Sequence, residues 1–318
     1  MKKILTLNLL FVLLALCGCG DTAENKDTRF LLDTIVTLQA DCDDKVLDEA
    51  FELCSYYEKL LSRTDKDSEV YRLNKSDTAL EVSDDTRYLV ERSLYYAEIS
   101  DGAFDVTIAP VSSLWDFTGE IVPDRNEIAA ALRSVDYHSI ATDGNTVALN
   151  GAQIDLGAIA KGYISDKLGA FFTEKEVSKG IINLGGNITV FGDDERIIGI
   201  KKPYTDDIAA RVSVIGGYSV VTSGTYERYI DADGKKYHHI LDPKTGYSVK
   251  TDLDSATIIG RSATDCDALS TVCILLGRER AAELIESTEG AEAVFITDDG
   301  DIIHTSGLKI KNDIYTLM

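Results

Sequence analysis

The chain has 318 residues, with 54 Asp and Glu against 32 Lys and Arg, for a net charge of −22. That balance excludes broad nucleic-acid binding, which needs a basic surface to displace counterions, and adhesion to anionic lipid through a polybasic face. Four prolines, 44% apolar residues and no low-complexity tract exclude a disordered or fibrous chain. The charge itself speaks to solubility, so function has to come from sites.

Lys2 and Lys3 precede an apolar run over residues 4–16, interrupted by Thr6 and Asn8. The run is short for a membrane span and suits an export signal. It ends in Leu16-Cys17-Gly18-Cys19, which resembles a bacterial lipobox with Cys19 as the lipid-modified residue. This reading divides the chain into a lipoprotein signal peptide over residues 1–18, a lipidated tether over 19–29 and one folded body over 30–318. It places the protein at the cell membrane, anchored by lipid on the extracytoplasmic side. Cys42, Cys54, Cys266 and Cys273 form no C-x-x-C pair, which disfavours zinc. Buried thiols are expected for Cys266 and Cys273, and a Cys42–Cys54 bridge stays open.

Residues 30–40 alternate as a strand. Asp43 or Asp44 caps a helix whose apolar stripe is Val46, Ala50, Phe51, Cys54, Tyr57 and Leu61. A polar stretch with Ser62, Ser68 and Asn74 follows. Residues 86–100 read as a helix stopped by Asp101-Gly102, and 123–134 as a short one. Residues 146–156 are extended, with a hairpin-type turn at Asn150-Gly151. A helix is expected over 158–172, then strands over 181–191, 197–201 and 211–221 with glycine-rich turns. Residues 226–240 read as a hairpin around Asp231-Ala232-Asp233-Gly234. A strand over 257–260, helices over 264–276 and 278–287, and a closing hairpin from 292 complete the chain. Strands and helices mix without regular alternation. The expected class is α+β, with mixed, largely antiparallel sheets, packed helices and two lobes around one cleft.

Four segments carry chemistry. The first is Asp101-Gly102-Ala103-Phe104-Asp105-Val106-Thr107. In the second, Asp155-Leu156-Gly157-Ala158 leads through a glycine turn into a helix with Lys161 near its start. A helix N-terminus beside a lysine suits phosphate, though many such joints bind nothing. The third joins Thr222-Ser223-Gly224 and Tyr226-Glu227-Arg228 to His238-His239-Ile240-Leu241-Asp242-Pro243. Strand alternation points the two histidines to opposite faces, so at most one faces a site, where it suits acid–base work. In the fourth, Asp267 and Thr271 stand at i and i+4 and project together. A carboxylate plus a hydroxyl suits magnesium with phosphate oxygens completing the shell.

In this order the segments, with Asn183-Leu184-Gly185-Gly186-Asn187 and Thr245-Gly246, resemble the ApbE-type FAD:protein FMN transferases over nearly all of the exported part. The resemblance implies transfer of FMN from FAD to a Thr or Ser hydroxyl of an exported acceptor, releasing AMP. It implies Mg2+ held by Asp267, Thr271 and the carbonyl of Ala158. It implies FAD contacts at Ala103, Phe104, Asp105, Asp155, Lys161 and Ile240, and His239 as general base. Acceptors of this class are subunits of membrane redox complexes and exported FMN-binding domains. Two stretches depart from the family pattern: Leu32-Asp33-Thr34 stands for Met-Gly-Thr, and Thr64 stands where an aromatic residue is common. An FAD pyrophosphatase or a non-catalytic flavin-binding lipoprotein would use the same pocket.

Overall fold

The computed structural model describes residues 24–232 and 234–318. The signal peptide, Cys17 and Cys19 lie outside the described residues, as does Asp233 of the expected hairpin turn.

The expected first strand is a hairpin. Strand β1 (Asn25–Leu31) pairs antiparallel with β2 (Thr34–Ala40). The turn residues Leu32 and Asp33 both take left-handed φ, 55° and 54°, the geometry of the tightest hairpin turns. Asp33 tolerates that region better than most residues. The first strand therefore begins inside the stretch read as tether.

Helix α1 (Asp44–Leu61) is capped by Asp43, whose carboxylate accepts from Val46 N at 3.0 Å. Its buried stripe is the expected one, with Leu47 in place of half-buried Val46. Helix α2 (Glu69–Lys75) occupies the polar stretch, with Ser68 as its cap. Strand β3 (Leu80–Glu81) and helix α3 (Asp84–Ile99) follow. Short helices α4 (Ala109–Ser112) and α5 (Arg125–Ala131) come next, the latter begun by an Asp124–Glu127 capping box. The expected turn at Asn150-Gly151 is not a hairpin. The hairpin is one step earlier, between β4 (Ala141–Asp143) and β5 (Thr146–Ala148), and residues 149–156 are irregular.

Helix α6 (Ala160–Glu174) leads into β6 (Lys179–Leu184), β7 (Asn187–Gly192), β8 (Glu195–Lys201), β9 (Ile208–Ile215) and β10 (Tyr218–Gly224). A ribbon of β11 (Tyr229–Ala232) and β12 (Lys235–His238) precedes β13 (Leu253–Gly260). Helices α7 (Ala263–Leu276) and α8 (Arg278–Glu286) lead to β14 (Ala291–Thr297), β15 (Ile302–His304), β16 (Leu308–Lys311) and β17 (Ile314–Leu317).

The main sheet has the order β1-β2-β6-β7-β10-β13-β14-β15. A second has the order β16-β17-β9-β8, where β17 and β9 run parallel. Every other named strand pairing is antiparallel, as expected of the α+β class. One face of the main sheet packs on α1, α6 and α7 through Leu38, Phe51, Phe172 and Ile258. The other packs on the second sheet through Val190, Val212, Val220 and Val294. A smaller apolar cluster of Val111, Trp115, Ile128, Ile230 and Leu241 seats the β11–β12 ribbon on the α4–α5 region. The four described cysteines are free, so the open Cys42–Cys54 bridge is absent. Among the described residues no helix is long and apolar enough to cross a membrane.

Candidate active site

Helix α3 ends where Asp101 and Gly102 turn left-handed, φ 57° and 70°, so that Gly102 N reaches back to Ala97 O at 2.9 Å. The chain re-emerges with Phe104 buried edge-on against Tyr96. Asp105 Oδ1 then accepts from Thr107 N and Oγ1, at 2.8 and 2.6 Å, and its Oδ2 accepts from Tyr137 N at 3.2 Å. Burial raises the Asp105 carboxyl above its ordinary range, against those hydrogen bonds. A backbone bond from Asp155 N to Val106 O, 2.8 Å, joins this segment to the second.

Asp155 is the hub of the next wall. Its Oδ2 takes Arg63 Nε at 3.1 Å and Ser112 Oγ at 3.2 Å, and its Oδ1 takes Gly157 N at 3.0 Å. Arg63 also donates to Ser113 Oγ at 2.6 Å. Asn74 clamps the adjacent backbone from both sides, Nδ2 to Ile154 O at 2.8 Å and Ile154 N to Oδ1 at 2.7 Å. These bonds fix the irregular residues that carry Asp155 and Ala158 to the start of α6.

Two helix N-termini meet at the centre. Lys161 lies in the first turn of α6. Gly162 N donates to Asp267 Oδ2 of α7 at 2.8 Å. Only glycine permits this approach: a Cβ at position 162 would lie 2.2 Å from Ala263 O and 2.7 Å from Asp267 Cβ. Asp166 of α6 caps α7 from outside, taking Ala263 N at 2.8 Å and Thr264 N at 2.9 Å. Asp267 is buried, 3% exposed, and Thr271 follows one turn later. Ser223 of β10 lies between α7 hydroxyls, 2.7 Å from Ser270 Oγ and 3.2 Å from Thr271 Oγ1.

The histidines diverge as alternation requires. His238 is buried and its Nε2 donates to Val249 O at 3.1 Å. His239 is half-buried, with its ring edge-on to Phe117. Its Nδ1 lies 3.3 Å from Arg228 O. A carbonyl can only accept, so Nδ1 carries the proton and Nε2 keeps a lone pair. Burial, then the charges of Arg228, His238 and Lys161, push this imidazole down to about 3. Glu227 is reachable by solvent, yet the crowding protein raises its carboxyl against the pull of Lys161 and Arg228.

The fold thus brings Lys161, Asp267 and Thr271 together and aims His239 and Glu227 at the same charges. Phe104 and Ile240 are buried, so their rings and branches build the wall rather than project from it. Sequence reading missed Arg63, Asn74, Ser112 and Asp166, which support the site from elsewhere in the chain. Arg63 directly precedes Thr64, one of the two departures from the family pattern, but nothing in its own residue type marked it.

Among the described residues no three His, Cys, Asp or Glu side chains come together as a metal cage. Asp267 and Thr271, one turn apart on α7, are instead a sparse pair of hard oxygen donors. Such a set fits magnesium, which keeps waters and takes phosphate oxygens for the rest of its shell.

A family model described as the ApbE family matches residues 32–295. An FAD:protein FMN transferase of Klebsiella pneumoniae is 37% identical over 278 residues, covering 85% of this chain and 87% of that protein. One from Treponema pallidum is 36% identical over 288 residues, covering 82% and 80%. The crystal structure of an ApbE protein from Thermotoga maritima superposes with a TM-score of 0.81 at 32% identity, covering 89% of this chain and 97% of that one. The apo flavinyl transferase ApbE of Pseudomonas stutzeri gives a TM-score of 0.77 at 27% identity, covering 89% and 95%. These matches run through every segment of the site from Asp105 to Thr271, and the chain belongs to the ApbE family.

Proposed function

We propose that this protein transfers FMN from FAD to a threonine or serine hydroxyl of an exported protein, with magnesium bound and AMP leaving. The coarser activity goes with the family: the chain is a flavin transferase. The observation that carries the finer reading is the Nδ1–H bond of His239 to the Arg228 carbonyl. It leaves Nε2 unprotonated on the ring that faces the charges of Lys161 and Arg228.

A hydroxyl is a poor nucleophile at neutral pH and needs a base. His239 Nε2 takes the hydroxyl proton as the oxygen attacks the FMN-side phosphorus. The pyrophosphate P–O bond breaks, the electrons leave with the AMP phosphate, and a phosphoester remains on the acceptor. Lys161 and the N-terminal turn of α6 stabilise the charge gathering on the departing phosphate. Asp267, Thr271 and the Ala158 carbonyl would hold magnesium, which supplies further positive charge to the pyrophosphate. On a protein of charge −22, this cluster is the local exception that a doubly anionic substrate requires. The lipobox reading supports a body held at the extracytoplasmic membrane surface by lipid on Cys19.

The test is purified protein with magnesium, FAD and an FMN-binding acceptor domain. The expected product is an acceptor heavier by one FMN, with one AMP released per adduct. His239→Ala keeps FAD binding and loses turnover. AMP without adduct would turn the reading into an FAD pyrophosphatase, with water in place of the hydroxyl. No AMP at all would leave a flavin-binding protein.

A further inference from the structure

Strand β8 is an edge. Among the described residues it pairs only with β9. Its sequence, Glu-Arg-Ile-Ile-Gly-Ile-Lys, carries no proline and keeps its charges at the ends, and Ile197 is 56% exposed. Edges of this length and composition are templates for another strand, and proteins ordinarily blunt them.

The surface beside that edge is also incomplete. Thr28, Thr37, Asn183, Ile188 and Val220 are consecutive cross-strand partners and so form one row on one face of the main sheet. Val220 lies under the second sheet at 2% exposure, Ile188 is half-buried and Thr28 is exposed. The covering layer stops at β8. Beyond it the same face presents the cross-strand pair Phe30 and Ile35, 70% and 56% exposed. A cavity of about 390 Å3 opens at the step, between Ile198, Gly199 and Lys201 of β8 and Gly186 and Ile188 below.

The cavity reaches the active site at one point: its wall includes Glu227, the carboxylate on which the charges of Lys161 and Arg228 act.

We infer that β8 is where the acceptor docks: an extended, apolar acceptor segment adds as a strand to the β8 edge, fills the step over Ile188 and Ile35, and so presents its hydroxyl to His239. Main-chain hydrogen bonds along the edge give affinity that tolerates different acceptor sequences, and the apolar step selects alternate side chains. The assignment rests on the protein-acceptor reading of the site and names its subsite.

Hydrogen exchange on the wild-type protein tests it, with an FMN-binding domain of an exported redox subunit as probe. The amides of residues 195–201 slow when that domain is added. In parallel, the double variant Phe30→Asp/Ile35→Asp raises the KM for the domain about tenfold, as loss of an apolar anchor does. Its kcat at saturating domain and its FAD affinity stay at wild-type values. Adduct formation with no added protection on β8 overturns the assignment. So does protection by FAD alone, which would give the cavity to the flavin, or protection that depends only on enzyme concentration, which would give the edge to a second copy. Protection without adduct keeps the docking strand and refutes the transferase chemistry. Neither protection nor adduct refutes both.

Discussion

Gly162→Ala separates the support of the site from helix propensity. A Cβ there starts 2.2 Å from Ala263 O, and ordinary spacing is about 3.4 Å, so α6 and α7 must part by about 1.2 Å. Overpacking of this kind costs about 1–3 kcal/mol. Stretching the bond from Gly162 N to the buried Asp267 carboxylate costs about 1.5–3 kcal/mol more. Alanine returns about 1 kcal/mol of helix propensity. The net loss is about 1.5–5 kcal/mol, a fall in Tm of about 2–8 °C for a chain of this size. Turnover falls at least about a hundredfold, because about 1 Å of displacement at a reacting centre has that effect. Gly169→Ala is the control: same helix, nothing within 4 Å of the added Cβ. It should gain about 0.5–1 kcal/mol and leave turnover alone. Thermal unfolding and FAD-dependent AMP release read both variants. If Gly162→Ala matches Gly169→Ala in either measurement, the helix junction is not what holds Asp267.

Four further outcomes are expected. Asp267→Asn preserves the side-chain shape but removes its charge, so AMP release falls at least about a hundredfold and no longer responds to magnesium titration. Chelation of the wild type gives the same loss, reversed by adding magnesium back. Arg63→Ala frees Asp155 on one side and raises the Kd for FAD about tenfold in a flavin-fluorescence titration, with kcat little changed. The imidazole of His239 is depressed, so the free enzyme keeps its base on going from pH 8 to 6, and kcat/KM for FAD shows no step near 6.5; a one-proton fall at 6.5 in wild type, absent in His239→Gln, would contradict this. Finally, reductant leaves the Tm unchanged. Native alkylation reaches half-buried Cys42 first and slowly, because burial pushes its thiol up to about 11 and that of Cys54 to about 12.

Periodicity located the long elements because their stripes are uninterrupted: Ala50, Phe51, Cys54, Tyr57 and Leu61 of α1 bury as read. It merged β1 and β2 because the turn uses Leu32-Asp33 rather than glycine, and left-handed geometry at leucine leaves no trace in composition. It placed a hairpin at Asn150-Gly151 because both residues do turn left-handed, φ 50° and 94°, but no partner strand follows. Local spacing brought Asp267 and Thr271 together, and alternation separated His238 from His239. Contacts across the chain were beyond such reasoning. Asn74 meets Ile154 and Arg63 meets Asp155 through tertiary packing alone.

The helix junction also says where this protein can vary. Lys161, Asp267 and Thr271 ride on α6 and α7, locked to each other by Gly162 and by Asp166. His239 directly follows a two-stranded ribbon that, among the described residues, pairs with no other strand. One half of the site is a fixed block and the other is a replaceable arm. Under the proposed chemistry, re-targeting to new acceptors is confined to the ribbon and the β8 rim, while Lys161, Asp267 and Thr271 stay as they are.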